Sequence, residues 1–315
     1  MSKTTFVPPD LPIKACLDEL SQALESGHVT LSASTGSGKT TVVPPSLLDQ
    51  PWLAGKKIIM LEPRRPAARM AAHRMAFLLG EKVGETIGYQ VRFERKITAQ
   101  TRIEVLTEGL LLKRLQSDPE LADVGLVIFD EFHERNLVAD LSLALCLDVC
   151  QGLRDDLRLL VMSASLDTDN LTQLLDARNI TAGGQLHPVA VHYAAHDHPL
   201  NEVVDACIPL IGQALETAKA DVLVFLPGRR EIALLQNLAD QKWGDSCEVL
   251  TLYGDLGTEE QDRVLNPTER KRRRLILTTD IAETSLTIEG VEAVVDGGRV
   301  RKPVFQPNSG LTRLE

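Results

Sequence analysis

The sequence predicts an α/β fold of two tandem domains, each built on a mainly parallel sheet flanked by helices. Apolar runs of four to eight residues recur along the chain and alternate with longer stretches of helical spacing, which is typical of a parallel α/β sheet. A chain of 315 residues is also long enough for two domains of ordinary size, each able to bury its own core.

The first series of apolar runs predicts one complete domain. Its expected strands are Val29–Ser32, Lys57–Leu61, Thr101–Leu106, Leu126–Phe129 and Leu157–Met162. The expected helices between them include Lys39–Leu48, Ala67–Leu79, Leu110–Gln116 and Leu137–Cys150. Strands that alternate with helices in this way favour a doubly wound sheet.

A second series of strands predicts a second copy of this architecture, which we expect to be incomplete. Its strands are Val189–Tyr193, Val222–Leu226, Val249–Tyr253, Leu275–Thr278 and Ala293–Val295. Two glycines after Ala182 interrupt the pattern, so the predicted domains are residues 1–182 and 183–315. The last segment, Arg301–Glu315, alternates apolar and polar residues around Pro307–Gly310, which predicts a β-hairpin.

Composition favours a globular protein of the cytoplasm that makes no membrane contact. Hydrophobic residues form 43% of the chain, yet no run approaches the roughly 20 apolar residues of a membrane span. Residues Met1–Asp10 lack the apolar core of a secretory signal, and five scattered cysteines indicate a reducing compartment. Because the net charge is −10, any nucleic-acid surface must be a local basic patch.

The segment Ala33–Thr41 predicts a phosphate-binding loop. It reads Ala-Ser-Thr-Gly-Ser-Gly-Lys-Thr-Thr and matches the pattern G-x-x-x-x-G-K-[ST] except for its first residue. Lys39 is expected to bind the β- and γ-phosphates, and the Thr40 hydroxyl to ligate Mg²⁺. The expected ATP-binding residues are Thr35, Gly36, Ser37, Gly38, Lys39, Thr40 and Thr41. The alternative, a simple Gly/Ser turn, gives the Lys-Thr pair no packing role.

An acidic pair, Asp130 and Glu131, follows the predicted strand Leu126–Phe129. Ligands of open α/β sheets lie beyond the carboxyl ends of the strands, where the phosphate loop also lies. We expect Asp130 to hold Mg²⁺ and Glu131 to orient and deprotonate the water that attacks the γ-phosphate. Without the phosphate loop, a solvated strand end would explain the pair equally well.

Further motifs follow the phosphate loop in a fixed order. They are Pro63-Arg64-Arg65, Thr107-Glu108-Gly109, Asp130-Glu131-Phe132-His133-Glu134-Arg135, Ser163-Ala164-Ser165 and Thr278–Thr287. Together they resemble the DEAH-box branch of superfamily 2 helicases over nearly the whole chain. Phe132 and the run Leu157–Ser165 resemble the bacterial HrpB-like ATP-dependent helicases within that branch.

The resemblance implies two RecA-like P-loop NTPase domains that hydrolyse ATP between them. It makes His133 catalytic together with Lys39, Asp130 and Glu131, and it implies that Ser163, Ser165 and His133 couple nucleotide state to grip on nucleic acid. The implied nucleic-acid contacts are Arg64, Arg65, Thr107, Glu108, Gly228, Arg229 and Thr278.

The chain departs from the family at two positions that concern ligands. Asp280 stands where members usually have Asn, which places a carboxylate near the expected phosphate track. Leu265 stands where related eukaryotic proteins have an aromatic residue that stacks on the nucleotide base. Arg74 is the candidate for the opposite side of the base, although an Arg on a helix surface is more often simply solvated.

The leading functional hypothesis is a monomeric, Mg²⁺- and ATP-dependent helicase or translocase on single-stranded nucleic acid, RNA more than DNA. Two alternatives are an ATP-controlled nucleic-acid clamp without strand separation and a P-loop kinase for a small molecule. The family also carries a Gln-Arg-x-Gly-Arg-x-Gly-Arg motif, whose arginines reach the γ-phosphate, beyond the position of Leu314. We therefore expect this chain to be a motor fragment with little ATPase activity on its own, which requires its missing C-terminal region.

Overall fold

The structure is a computed structural model that describes residues 6–164, 169–183, 188–194, 196, 198–254, 256–265, 272–282 and 288–314. The chain divides into two compact units, Met1–Pro188 and Val189–Glu315. The boundary predicted from the sequence, after residue 182, lies a few residues before this division and stays a prediction. No helix in the described residues is both long and apolar enough to cross a membrane.

The first unit contains one sheet, and helices connect many of its strands. The strands are β1 (Val29–Ala33), β2 (Lys57–Glu62), β3 (Ile87–Val91), β4 (Glu94–Lys96), β5 (Ile103–Thr107), β6 (Val124–Phe129), β7 (Arg158–Ser163) and β8 (Arg178–Ala182). The helices are α1 (Leu17–Ser26), α2 (Lys39–Leu47), α3 (Arg65–Leu78), α4 (Glu108–Ser117), α5 (Leu137–Gly152) and α6 (Asp169–Leu174). The strands are ordered β4-β3-β5-β2-β6-β7-β1-β8 and are parallel except for β3 with β4.

Both faces of this sheet are covered, which explains the unbroken apolar runs of its central strands. Along β6, Leu126 and Ile128 belong to one buried cluster, whereas Val127 and Phe129 belong to another. Alternate side chains point to opposite faces of a strand, so the two clusters lie on the two faces. The carboxyl ends of β1, β2, β6 and β7 are neighbours at one edge, and the site is built there.

The second unit contains a smaller parallel sheet and a hairpin. Its strands are β9 (Asp221–Phe225), β10 (Glu248–Leu252), β11 (Arg274–Thr278), β12 (Val291–Asp296), β13 (Pro303–Gln306) and β14 (Leu311–Leu314). Its helices are α7 (Val203–Thr217), α8 (Arg229–Trp243) and α9 (Thr258–Leu265). The parallel order is β10-β11-β9-β12, and β13 pairs with β14 in an antiparallel hairpin.

The predicted fold class is confirmed, and one predicted strand is wrong. Residues Val189–Tyr193 have no regular structure, and no described strand pairs with them. Val189, Val191 and Tyr193 are exposed, so their alternation with smaller or polar residues did not provide the packing that stabilises a strand. Three strands, β3, β4 and β8, were not predicted, whereas the hairpin around Pro307–Gly310 was.

Candidate nucleotide site

The phosphate loop joins β1 to α2 and has the backbone that its glycines allow. Gly36 has φ +77° and Gly38 has φ +96°, a left-handed region that residues with a Cβ rarely adopt. A Cβ on Gly38 would also lie 2.9 Å from Leu11 Cδ1. The Ile13 N–H donates to the Ser37 carbonyl at 3.1 Å, so the turn Pro12–Cys16 is hydrogen-bonded to the loop.

The side chains of the loop divide between its exposed tip and its buried base. Thr35 is exposed at the tip, and Thr41 is partly buried in the first turn of α2. Ser37 is buried, and its Oγ has no hydrogen-bond partner among the described residues. A buried hydroxyl in this position requires a polar partner, and an oxygen of a bound phosphate would provide one.

Asp130 and Glu131 follow β6 in a tight, strained turn. Asp130 Oδ1 accepts the Glu131 N–H at 2.8 Å, and its Oδ2 accepts the Thr40 hydroxyl at 2.5 Å. Glu131 itself is left-handed at φ +49°, which is costly for a residue with a Cβ. The structure therefore brings the two predicted Mg²⁺ ligands, Thr40 and Asp130, into direct contact.

A buried ion pair joins the phosphate loop to the acidic turn. Lys39 Nζ lies 3.0 Å from Glu131 Oε1, with the two side chains only 3% and 4% exposed. Burial, followed by the charge of Asp130, raises the pKa of Glu131 to about 7, although Lys39 opposes the change. Burial also raises the pKa of Asp130. A carboxylate whose pKa is near neutrality suits a general base.

His133 contacts both the acidic turn and the Ser-Ala-Ser motif. Its Nδ1 accepts the Ala164 N–H at 3.3 Å and lies 3.3 Å from Glu131 Oε2. Burial, followed by the charge of Lys39, lowers the pKa of His133, which favours the neutral ring. Because Nδ1 accepts a hydrogen bond, a neutral ring would carry its proton on Nε2. Ser163 is the buried last residue of β7, whereas Ser165 lies outside the described residues.

The donor atoms at this edge of the sheet fit Mg²⁺ with a nucleotide. Mg²⁺ prefers hard oxygen ligands and is usually bound through one or two carboxylates together with substrate phosphates. Asp130 supplies a carboxylate and Thr40 a hydroxyl, in contact with each other and next to the phosphate loop. These residues therefore match the chemistry of the ion that the motif predicts.

Four of the residues predicted to contact nucleic acid lie close to this edge. Arg64 is the N-cap residue of α3 and lies 3.5 Å from a carboxylate oxygen of Glu134, and Arg65 begins that helix with an exposed side chain. Thr107 ends β5, and Glu108 begins α4. Burial is the main cause of a raised pKa at Glu108.

The remaining predicted nucleic-acid contacts belong to the second unit. Gly228 precedes α8 as its N-cap residue, and the Arg229 guanidinium lies 4.9 Å from the centre of the Tyr253 ring. Thr278 is fully buried, and its hydroxyl donates to the Leu252 carbonyl at 2.9 Å. In this arrangement the Thr278 side chain is a structural hydrogen-bond donor, which sequence reasoning did not anticipate.

Comparison with known proteins agrees with the motifs. Residues 16–174 match the family profile of the DEAD/DEAH box helicases, and residues 202–304 match the helicase conserved C-terminal domain. The chain belongs to the DEAD/DEAH box helicase family. It is 47% identical over 309 residues to the ATP-dependent RNA helicase HrpB of Escherichia coli strain K12, an alignment that covers 96% of this chain and 38% of the relative.

Two solved structures have the same fold as this helicase chain. The crystal structure of the Escherichia coli DEAH/RHA helicase HrpB has a TM-score of 0.86 and 46% identity, covering 97% of this chain and 39% of that one. The crystal structure of the Escherichia coli DExH-box NTPase HrpB has a TM-score of 0.78 and 46% identity, covering 98% of this chain and 38% of that one. The helicase chain thus spans somewhat more than a third of the length of the relatives it matches.

The two residues considered for the nucleotide base have different surroundings. Arg74 is exposed on α3, where its guanidinium lies 5.5 Å from the centre of the Phe77 ring. Leu265 ends α9 and is 7% exposed, so it packs within the second unit.

Asp280, the carboxylate expected near the phosphate track, is exposed in the short turn Asp280–Ala282.

Glu62 is a site residue that sequence reasoning missed. It ends β2, it is fully buried, and neither carboxylate oxygen has a hydrogen-bond partner in the described part of the chain. Burial, then the charges of Asp130 and Glu131, raise its pKa well above the usual range of a carboxyl group. The signal in the sequence was an acidic residue at a strand end, directly before Pro63-Arg64-Arg65.

Proposed function

We propose that this chain is the ATP-hydrolysing motor of a helicase that moves along single-stranded nucleic acid, with RNA as its main substrate. The observation that carries the proposal is the contact of the phosphate loop with the acidic turn, through Lys39–Glu131 and Thr40–Asp130. The relative described as an ATP-dependent RNA helicase supports the choice of RNA.

The phosphate loop is the proposed binding site for the nucleotide phosphates. Its backbone N–H groups and the N-terminus of α2 attract anions, and Lys39 adds a cation for the β- and γ-phosphates. Thr40 and Asp130 would hold Mg²⁺. When bound, this ion neutralises charge that develops on the phosphate oxygens during transfer.

Glu131 is the proposed general base for the attacking water. In the structure its carboxylate is paired with Lys39, and the two charges neutralise each other. A γ-phosphate competes for Lys39, so nucleotide binding should release Glu131 from this pair and leave its carboxylate to accept a proton from water. His133, neutral and hydrogen-bonded to Ala164, is suited to report changes at Glu131 to the Ser-Ala-Ser motif.

The proposed nucleic-acid contacts are directed at the backbone of the strand. Arg64, Arg65 and Arg229 supply cations, and Gly228 places a backbone N–H at the beginning of α8. Contacts of this kind fix the position of the strand but carry no sequence information, so binding should tolerate any sequence. Thr107 and Glu108 complete the set in the first unit.

The monomeric state and the cytoplasmic location remain predictions.

Nucleic-acid-stimulated ATPase measurements on the full-length protein test this proposal. Matched single-stranded RNA and DNA oligomers should both stimulate hydrolysis, and RNA should do so more strongly. A strand-displacement assay on the same protein distinguishes a helicase from an ATP-controlled clamp. Absence of stimulation by either nucleic acid would contradict the motor and favour a P-loop kinase for a small molecule.

A further inference from the structure

One ion pair links a predicted nucleic-acid contact to the turn that carries the catalytic glutamate. Arg64 Nη2 lies 3.5 Å from Glu134 Oε2. Glu134 ends the short turn Phe132–Glu134, and its backbone N–H donates to the Glu131 carbonyl at 2.9 Å. This hydrogen bond joins Glu134 directly to the backbone of Glu131.

A second contact joins the same segment to another predicted nucleic-acid residue. Asn136 caps α5 by accepting the Ala139 N–H at 2.9 Å, and its Nδ2 donates to Glu108 Oε1 at 3.1 Å. Arg64 therefore contacts Glu134, and Glu108 contacts Asn136. Both contacts fall within residues 134–136, which directly follow Asp130-Glu131-Phe132-His133. The family resemblance implies coupling of nucleotide and nucleic acid through different residues, Ser163, Ser165 and His133.

We propose that Glu134 is a positioning residue that holds Glu131 in a resting arrangement while it is paired with Arg64. A nucleic-acid phosphate that binds Arg64 weakens this pair and allows the turn to move Glu131 toward the attacking water. This proposal rests on the proposed function, because it assumes that Arg64 contacts nucleic acid and that Glu131 acts in hydrolysis.

The geometry of the pair favours such an exchange. Its N–O distance of 3.5 Å is longer than the roughly 2.7–2.9 Å of a charge-assisted hydrogen bond. The two side chains are 26% and 16% exposed, so Arg64 is accessible to a ligand. A phosphate can bind a guanidinium through two parallel hydrogen bonds, and it can therefore compete with Glu134 for Arg64.

Loss of Arg64 would remove a cation next to Glu134, whose charge acts on other carboxyl groups nearby. Burial is the main cause of the raised pKa values of Glu62, Glu108 and Glu131, and the charge of Glu134 contributes to all three. The turn that carries Glu134 is already strained, because Glu131 has φ +49° and Arg135 has φ +38°. Strained backbone persists only where its surroundings hold it, so a change of charge here should move the turn.

The test is Glu134→Gln in the full-length protein, measured with and without a single-stranded RNA oligomer. We expect ATP hydrolysis without RNA to rise about fivefold or more, and the stimulation by RNA to fall by a similar factor, as for a typical coupling between sites. Arg64→Gln removes the same pair from the other side and should raise the RNA-free rate equally, although it weakens RNA binding. The double variant should have the RNA-free rate of either single variant, because both remove one interaction.

A binding measurement separates positioning from a general loss of structure. Fluorescence anisotropy gives the affinity for a labelled RNA oligomer with and without a non-hydrolysable ATP analogue, and the ratio of the two affinities measures the coupling. This ratio should approach one in Glu134→Gln. Glu94→Gln is the matched control, since Glu94 lies 3.6 Å from Arg69 of the same helix α3 and the pair is also partly buried. The control should keep the wild-type ratio and stimulation.

The outcomes distinguish this proposal from the function on which it rests. A wild-type protein whose hydrolysis RNA does not stimulate would overturn both. A stimulated wild type with an unchanged affinity ratio and unchanged stimulation in Glu134→Gln would overturn the role of Glu134 alone. Independent, additive effects of Arg64→Gln and Glu134→Gln on the RNA-free rate would also overturn it, because the two residues would then not act through their pair.

Discussion

Replacing the buried Glu131 by Gln should stabilise the nucleotide-free protein above neutral pH. A pKa of about 7 in the folded chain, against 4.5 for the group in its ordinary state, means that folding disfavours the ionised carboxylate. At about 1.4 kcal/mol for each pH unit between the two values, the ionised group costs about 3 kcal/mol. Gln resembles the neutral acid in shape and cannot ionise, so the variant avoids this cost, in which the attraction of Lys39 for the carboxylate is already included.

The pH dependence of this stabilisation follows from the direction of the shift. Below about pH 4.5 the carboxyl is protonated in both the folded and the unfolded chain, and Glu131→Gln should change stability little. Between about pH 4.5 and 7 the unfolded chain has lost the proton that the folded chain keeps, so the wild type loses stability as the pH rises. Above about pH 7 both states are ionised, and the advantage of the variant should be constant.

Thermal unfolding followed by circular dichroism, without nucleotide, measures this difference. For a unit of this size, 1 kcal/mol changes the melting temperature by about 2–4 °C, so we expect an increase of about 6–12 °C at about pH 8. Glu94→Gln, away from the site, is the control for a change of charge. An unchanged or lower melting temperature at about pH 8, or an increase that is the same at every pH, would refute the reasoning.

Three further substitutions test the phosphate loop. Lys39→Ala should weaken ATP binding at least tenfold in calorimetry, because it removes a charged hydrogen-bond donor for the phosphates. Gly38→Ala should lower the free energy of unfolding by about 1–2 kcal/mol in a denaturant titration, because its φ is +96° and a Cβ would press on Leu11. Thr40→Val should remove most of the Mg²⁺ dependence of nucleotide affinity, measured by titration with and without EDTA, since Asp130 loses its neighbouring hydroxyl.

Each of these predictions has a result that contradicts it. Wild-type ATP affinity in Lys39→Ala would remove the phosphate-loop assignment, and unchanged stability in Gly38→Ala would show that the backbone there is not constrained. For Thr40→Val the matched control is Ser46→Ala in the same helix, whose hydroxyl donates to the Val42 carbonyl. Equal loss of Mg²⁺ dependence in both variants would exclude a specific role of Thr40.

The parts of the fold that follow from local pattern could be predicted from the sequence. Strands such as β2 and β6 carry continuous apolar runs, Ile58–Leu61 and Leu126–Phe129, because both faces of the sheet are covered, and this signal is short-range. The phosphate loop and the acidic pair are also local, since their residues are consecutive. Strand β4, Glu94-Arg95-Lys96, is polar throughout and forms only because β3 offers it an antiparallel partner, so no pattern in its own residues could show it.

The contacts within the site could not be predicted because they depend on strand order. Lys39 and Glu131 are far apart in the sequence and meet because β7 alone lies between β1 and β6. Arg64 reaches Glu134 for a similar reason, since β2 is the other neighbour of β6. Glu62 read as an ordinary polar strand end, and only its complete burial beside two further carboxyl groups marks it as unusual.

Single-turnover ATP hydrolysis by Glu131→Gln in the full-length protein, with saturating RNA, tests the central claim most directly. The variant should bind ATP at least as tightly as the wild type, because the phosphate loop and Lys39 are intact and the Glu131 carboxylate no longer competes with the γ-phosphate for Lys39. It should hydrolyse the bound ATP at least about 100-fold more slowly, because positioned general bases contribute about 10²- to 10⁴-fold to a rate. Tight binding with hydrolysis at the wild-type rate would contradict the account, since the base would then be another group.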